Sequence, residues 1–480
     1  MIVRVQQGMA VLPCLFVALC VLSASAFDSI VDRPKPPRNI FGESADKKAE
    51  RLRWWTEARF GMFIHFGLYA MPARGEWVKT EERLDDKSYE ERYFPCFNPD
   101  LFDAKEWARA AKQAGMKYMV LTTKHHDGFC LWDTKTTNYK ITKTPFGRDL
   151  VREFAEACRV EGLHVGFYFS IKDWHHPDYT IDVTHPLRPR DDKFTDEIYE
   201  KLNKGRVWSR YREYMYAQIR ELLTDYGKID IVWFDYTVTE KYGKNWKDWE
   251  AVELLKMTRG LQPQILVDSR LDLMDTEDGW DFVTPEQNRV SQWPLWEGKR
   301  AYWETCQTFS GSWGYHRDEC TWKRAHELVE LLINSVSFGG NLILNVGPTA
   351  RGDFDDRATD RLEAIGRWMK RNSRSIYGCT MAPSEFAAPS GTLLTYNPSL
   401  RRLYVHVCDY PMGEIPFTFA SRIRYAQFLH DGSEILIRKG DVIKHAQAGD
   451  VGTRDSFVLP MQKPNVEIPV IECFLNDLRT

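Results

Sequence analysis

Asp235 closes the run Lys228-Ile-Asp-Ile-Val-Trp-Phe-Asp-Tyr236, a β-branched and aromatic stretch that ends on an acid immediately before a polar loop. Such a run reads as a buried parallel strand that delivers one carboxylate at its C-terminal end. The same signature recurs along the chain. Phe60 to Gly67 carries one polar residue, His65, just before a glycine. Lys117 to Thr123 leads into Lys124-His-His-Asp-Gly-Phe129, Ile265 to Ser269 ends on Arg270, and Trp280 to Pro285 ends on Glu286. In an α/β barrel the loops at the strand C-termini hold the chemistry. One barrel mouth would then collect two carboxylates, Asp235 and Glu286, with His65, His125 and His126, Arg270 and Trp233. A carboxylate pair, hydrogen-bonding groups for sugar hydroxyls and aromatic platforms are what glycoside hydrolysis requires.

Other chemistries fit less well. No Gly-x-Ser-x-Gly elbow supports serine catalysis, and no P-loop or Gly-x-Gly-x-x-Gly follows a strand. Zinc-assisted hydrolysis through His125-His126, His175-His176 and Asp235 is the serious competitor. Neighbouring residues on a strand point to opposite faces, which argues against a doublet ligating one ion unless a turn redirects it. The reading therefore includes no metal and no cofactor.

The elements that must position these residues alternate between helix and strand. Helices are read around Asp103 to Gly115, Asp149 to Gly162, Tyr211 to Tyr226, Ala251 to Gly260, His326 to Ser335 and Asp355 to Arg371. Asp103 stands as an N-cap, and Gly115 and Gly227 as stops. Strands are read at Phe60 to Gly67, Lys117 to Thr123, His164 to Ser170, Lys228 to Tyr236, Ile265 to Arg270, Trp280 to Glu286, Arg300 to Glu304 and Asn341 to Gly347, with Pro285 keeping Glu286 out of a regular ladder. Eight such units predict a (β/α)8-like, TIM-type barrel over residues 27–375. The charged segment up to Asp100 reads as surface. Beyond 375 come short alternating runs with turn signals, Leu393-Leu-Thr-Tyr, Asn397-Pro-Ser, Leu403-Tyr-Val-His-Val and Asp431-Gly-Ser. They predict a C-terminal antiparallel β-sandwich over 376–480.

Composition narrows the class further. With 65 basic and 68 acidic residues intermixed, the net charge is −3, and no footprint for nucleic acid is visible. Aromatics make up 13% of the chain, including 17 Trp. That supply suits both a large core and sugar-stacking clefts. Residues 1–26 read as a secretory signal peptide, with an apolar run from Met9 to Val21 and Ala24-Ser-Ala26 before the cut. No later stretch is long and apolar enough to span a membrane. A secreted or periplasmic protein is expected, and the lack of an Asn-x-Ser/Thr sequon points to a bacterial one. Two of the ten cysteines lie in the signal; the others show no Cys-x-x-Cys spacing and read as buried free thiols where they fall in apolar stretches.

The chain also resembles the α-L-fucosidases of glycoside hydrolase family 29. The resemblance is carried by Arg59-Phe-Gly-Met-Phe-Ile-His-Phe-Gly-Leu-Tyr69, Gly75-Glu-Trp77, Thr123-Lys-His-His-Asp-Gly-Phe129, Trp233-Phe-Asp235, Trp303-Glu-Thr-Cys306, Gly311-Ser-Trp-Gly-Tyr315 and Ser337-Phe-Gly-Gly-Asn-Leu-Ile-Leu-Asn-Val-Gly-Pro348. It implies a retaining exo-α-L-fucosidase acting on fucosylated glycans or oligosaccharides, with Asp235 as nucleophile. Glu286 matches the acid/base position; Glu277 is the rival candidate and Glu304 a weaker one. The resemblance further implies that His65, Glu76, Trp77, His125, His126, Tyr168, Trp233, Arg270 and Trp313 hold the fucose ring. Histidines and Glu76 suit its hydroxyls, and Trp313 its C5 methyl. An ionised Asp235 would be favoured by Arg270 or by a histidine. A carbohydrate-binding protein that has lost catalysis is the alternative from another class, and the two retained carboxylates argue against it.

Overall fold

The computed structural model describes residues 35–189, 193–235, 241–440, 442–444, 451–453 and 455–476. The expected signal peptide, Tyr236, and residues 237–240 of the loop after it lie outside the described residues. The described residues from Pro36 onward pack as one unit.

Seven parallel strands form the central sheet: β1 (Phe60–Ile64), β2 (Tyr118–Lys124), β3 (His164–Ser170), β4 (Ile231–Asp235), β5 (Leu266–Val267), β6 (Glu304–Thr308) and β7 (Asn341–Val346). Their order is β5-β4-β3-β2-β1-β7-β6. Residues 281–286 lie between the two edges, and single parallel bridges join Asp268 to Phe282, Val283 to Trp303 and Glu286 to Cys306. The sixth expected strand is thus a segment of isolated bridges, and it completes the barrel-like circuit. The seventh was placed wrongly. It begins at Glu304, where the expected one ended, because its outward side chains are polar and the segment lacks a strand's apolar signature. Thr305 donates to the carbonyls of Pro285 and Asn288, and Gln307 donates to that of Asn288, so this face binds a loop instead of a helix.

Helices cover the sheet: α1 (Ala45–Ala58), α2 (Ala104–Gln113), α3 (Leu150–Glu161), α4 (Trp208–Thr224), α5 (Ala251–Leu261), α6 (Ala325–Ser337) and α7 (Asp356–Asn372). Asp103 and Asp149 cap α2 and α3 through their carboxylates, and Gly162 ends α3 in the left-handed region. Period-two alternation divides the strands. Met62, Ile64, Met119, Leu121, Val232, Phe234, Leu342 and Leu344 join the helix-facing core. Phe63, Tyr118, Val120, Tyr168, Ile231, Trp233, Leu266, Phe282, Cys306 and Ile343 fill the interior together with Leu52, Trp55 and Ala58 of α1. Helix α1 therefore plugs the floor. Its Trp55 indole N–H donates to Glu304 at 3.2 Å, and Asn341 Nδ2 donates to the Trp55 carbonyl at 2.8 Å.

The segment before Asp100 is not simply surface. Its helix Asp86–Tyr93 buries Tyr89 and Tyr93, and Lys79 is buried against Asp86. Beyond α7 a five-stranded antiparallel sheet, built on Thr392–Asn397, Arg402–Val407, Val470–Leu475 and Ile423–Phe428, faces a three-stranded one. Leu403, Val405, Ile471, Ile415, Phe417 and Phe457 pack between them. The eight cysteines of the described residues are all unpaired; Cys158 and Cys473 are buried and Cys96 and Cys320 exposed.

Trp55→Ala should leave a cavity under the barrel and remove one of the three donors to Glu304. A loss of about 3–5 kcal/mol in denaturant unfolding is expected; a loss below about 1 kcal/mol would show that α1 does not hold the floor.

Candidate active site

At the open end of the interior the alternation continues into polar residues. Asp235 stands two residues beyond Trp233 on β4. Its Oδ2 accepts from the Tyr168 hydroxyl at 2.8 Å and its Oδ1 from Arg270 Nη1 at 2.8 Å. Arg270 Nη2 donates to Glu286 Oε2 at 2.7 Å, and Nε donates to Thr284 Oγ1 at 3.0 Å. The guanidinium carbon lies 4.6 Å from the centre of the Trp233 ring, a cation–π contact that fixes its plane. One cation thus binds both carboxylates. Behind them the buried Asp268 accepts the N–H of Phe234 at 3.0 Å and fixes the end of β4.

The histidine doublet does not behave as a strand doublet. Strand β2 ends at Lys124 after a register irregularity. The following turn is closed by Gly128 N–H donating to the His125 carbonyl at 3.1 Å. Gly128 has φ +80° there, and a Cβ would sit 2.4 Å from Asp173 Oδ1. The turn brings both rings to the pocket, their centres 4.1 Å apart. His126 Nδ1 lies 2.6 Å from Ser170 Oγ. Beneath the doublet the buried pair Lys124 and Asp173 meets at 3.0 Å, and Tyr89 from the early helix donates to Asp127. His175 and His176 belong to this supporting layer: His175 faces Glu90 at 3.1 Å, and His176 Nδ1 accepts the N–H of Asp178.

Burial pushes the three pocket histidines toward the neutral form, His65 down to about 4 and His125 and His126 well below their ordinary value. They are hydrogen-bonding groups, and Arg270 is the cation beside Asp235.

The pocket is lined by His65, Trp77, His125, His126, Tyr168, Trp233, Asp235, Arg270, Glu286 and Trp313, all expected from the sequence, and by Phe63 and Cys306, which were not. Both newcomers follow from alternation, since Phe63 lies two residues before His65 and Cys306 two after Glu304. Glu76 is the expected residue absent from the lining. It is buried behind the wall, where its Oε2 accepts the N–H of Gly314 at 2.8 Å, and burial pushes its carboxyl up to about 7. That bond ties the Gly75-Glu-Trp77 turn to the loop bearing Trp313, as does Gly75 N–H donating to the Tyr315 carbonyl. Glu277 is outside the pocket and pairs with Arg38 at 3.1 Å. Glu304 lies on the barrel floor, accepting from Trp55, Trp233 and Tyr118. Among the described residues, no group of three or more His, Cys, Asp or Glu is arranged to hold a metal ion, and no helix is long and apolar enough to cross a membrane.

A carboxylate pair on one guanidinium, over an aromatic floor in the mouth of a parallel barrel, is the arrangement of a barrel-type glycoside hydrolase. Comparison with known proteins narrows this. Residues 37–374 match the family described as alpha-L-fucosidase, and the chain belongs to that family, glycoside hydrolase family 29. It is similar to an alpha-L-fucosidase of Dictyostelium discoideum, 30% identical over an alignment of 349 residues that covers 68% of this chain and 71% of that protein. Among solved structures it is similar to alpha-L-fucosidase isoenzyme 1 from Paenibacillus thiaminolyticus, with 42% identity, a TM-score of 0.80, and coverage of 90% of this chain and all of that one. It also matches a Bacteroides thetaiotaomicron GH29 alpha-L-fucosidase trapped as a covalent intermediate with 2-fluoro-fucosyl fluoride, with 28% identity, a TM-score of 0.74, and coverage of 92% and 100%. The protein is an α-L-fucosidase of the glycoside hydrolase class.

The raised carboxyl of Glu76 has a consequence for stability. Between about 4.5 and about 7 the unfolded chain has lost this proton while the folded one keeps it, so this group's contribution falls as pH rises through that window and is constant above it. Glu76→Gln should therefore gain on the wild type as pH rises from 5 to 8, by about 1–3 kcal/mol in denaturant unfolding. A difference independent of pH would contradict the assignment.

Proposed function

We propose that the enzyme is a retaining exo-α-L-fucosidase in which Asp235 is the nucleophile and Glu286 the acid/base. The observation that carries this is Arg270, which holds both carboxylates against one small pocket. Asp235 attacks C1 and forms a C1–O bond as the glycosidic C–O bond breaks, while a protonated Glu286 gives its proton to the departing oxygen. Arg270 occupies Oε2 of Glu286 at 2.7 Å, so the proton is delivered from Oε1. In the second half Glu286 takes a proton from water, the water oxygen attacks C1, and the bond to Asp235 breaks. Two inversions leave the sugar with its original configuration. The Bacteroides thetaiotaomicron neighbour, trapped as a covalent intermediate, supports this double displacement.

Neutral histidines, Tyr168 and Trp77 suit the ring hydroxyls, Glu76 acts through the turn it anchors, and Trp313 covers the C5 methyl. The substrate is then the terminal α-L-fucose of a glycan or oligosaccharide. Residues 1–26 support export to the periplasm or medium.

Two experiments test the assignment. Proton NMR of the early reaction should show α-L-fucose first; the β anomer appearing first would refute double displacement. Asp235→Gly should abolish turnover of all fucosides. Glu286→Ala should spare bond breaking for an activated aryl fucoside, slow the second step, and yield α-fucosyl azide when azide is added, because azide needs no base. If Glu277→Ala shows that pattern instead, the acid/base role moves to Glu277.

A further inference from the structure

Asn345 lies on β7 opposite Phe63 of β1, one step before the pair Ile64 and Val346. It is buried, two residues beyond the interior Ile343, and so sits at the height of His65. Its amide makes two bonds. Nδ2 is 2.6 Å from the Trp313 carbonyl and Oδ1 is 2.6 Å from His65 Nδ1. A carbonyl can only accept, so the amide atom facing Trp313 must be the NH2 group and the one facing His65 must be the oxygen. That oxygen can only accept in turn. The proton of the neutral His65 ring therefore sits on Nδ1, and Nε2 is left with a bare lone pair. His65 lines the sugar pocket, packed at 5.1 Å from Trp313 and 5.6 Å from Tyr168 between ring centres.

We propose that Asn345 is a positioning residue that locks His65 in the Nδ1–H tautomer, so that His65 presents a hydrogen-bond acceptor and selects a donating hydroxyl on the sugar ring. The inference rests on the fucosidase reading for the identity of the sugar, but not for the tautomer. The same amide holds the Trp313 carbonyl, so the polar contact to a hydroxyl and the apolar cover from Trp313 are set by one side chain. Gly347 allows this close approach: a Cβ there would lie 2.8 Å from the Trp313 oxygen and 2.7 Å from Tyr315 N. A residue with one hydrogen-bonding function could serve His65 or Trp313 but not both.

The tautomer can be read directly by nitrogen-15 NMR of histidine-labelled enzyme between pH 6 and 8, with the His65 signals identified by their loss in His65→Gln. Nδ1 protonated and Nε2 bare is the expected pattern. A protonated Nε2, or a mixture of tautomers, overturns the proposal, and this measurement on the wild type stands even if an Asn345 variant does not fold. In Asn345→Ala the signals should shift toward a mixture and kcat/KM for an aryl α-L-fucoside should fall about tenfold, as for the loss of one neutral hydrogen bond. Asn345→Asp keeps an acceptor for Nδ1–H and should keep the tautomer. Competitive binding of fucose analogues, each carrying fluorine or hydrogen in place of one ring hydroxyl, supplies the substrate arm. At one position fluorine, which cannot donate, should weaken binding as much as hydrogen does, and Asn345→Ala should shrink that penalty. The absence of any such Asn345-dependent position overturns the selective role. Failure to hydrolyse any α-L-fucoside would instead overturn the functional reading and leave the tautomer result intact.

Discussion

Side chains two residues apart on a strand point the same way, and in a closed parallel sheet one of the two alternating sets faces the barrel axis. Most of this site depends on that constraint. Tyr118, Glu304 and Asn341 occupy the floor beside Trp55 of α1, Phe63, Tyr168, Trp233 and Ile343 fill the layers above it, and His65, Asp235, Glu286 and Asn345 emerge at the mouth. A packed aromatic beneath a polar group restricts its rotamers and keeps water from below. The floor is therefore part of the site: Glu304 accepts from the indole of Trp233 at 3.4 Å, and Trp233 supports the guanidinium of Arg270.

Two carboxylates facing one small pocket repel each other, and at the reduced effective dielectric near a protein interior that repulsion is several times what it would be in water. Arg270 resolves it because a planar guanidinium offers separate N–H groups to separate partners. Lysine would present a point charge with no preferred plane and could not rest on Trp233 in the same way. Neutral histidines complement this arrangement. As imidazolium ions they would compete with Arg270 for Asp235; desolvated and uncharged, they add polar groups to the pocket without a second positive charge.

The loops are held by buried polar pairs instead of by regular structure. Lys124 with Asp173 lies beneath the histidine turn, and Glu76 with the Gly314 N–H joins two loops distant in sequence. At the far side Asp278 accepts from the successive N–H groups of Ile40, Phe41 and Gly42, which fastens the segment before α1 to the region preceding Glu286. Each pair gives a buried polar group a specific partner and so favours one arrangement. They explain how irregular segments keep a pocket in shape.

The sequence by itself determined most of the parallel strands, the ends of several helices and the residue types that gather at the mouth, because alternation, glycine stops and acidic caps are local signals that act within a few residues. The barrel mouth was legible for the same reason: Asp235 and His65 each interrupt an apolar run near a strand's end, and Arg270 follows shortly after one. Tertiary structure decided what local pattern cannot carry. Strand β6 was misplaced because its polar face binds the 285–288 loop, a partner that exists only after folding. The doublet His125 and His126 turned to one side because Gly128 and Asp173 shape the chain beyond the strand. Glu76 moved behind the wall, Glu277 went to Arg38 and Glu304 to the floor, although nothing within their own segments distinguishes these acids from Glu286. Which carboxylate faces the pocket depends on contacts between residues up to 249 positions apart, and only the closed barrel brings those residues within a hydrogen bond of one another.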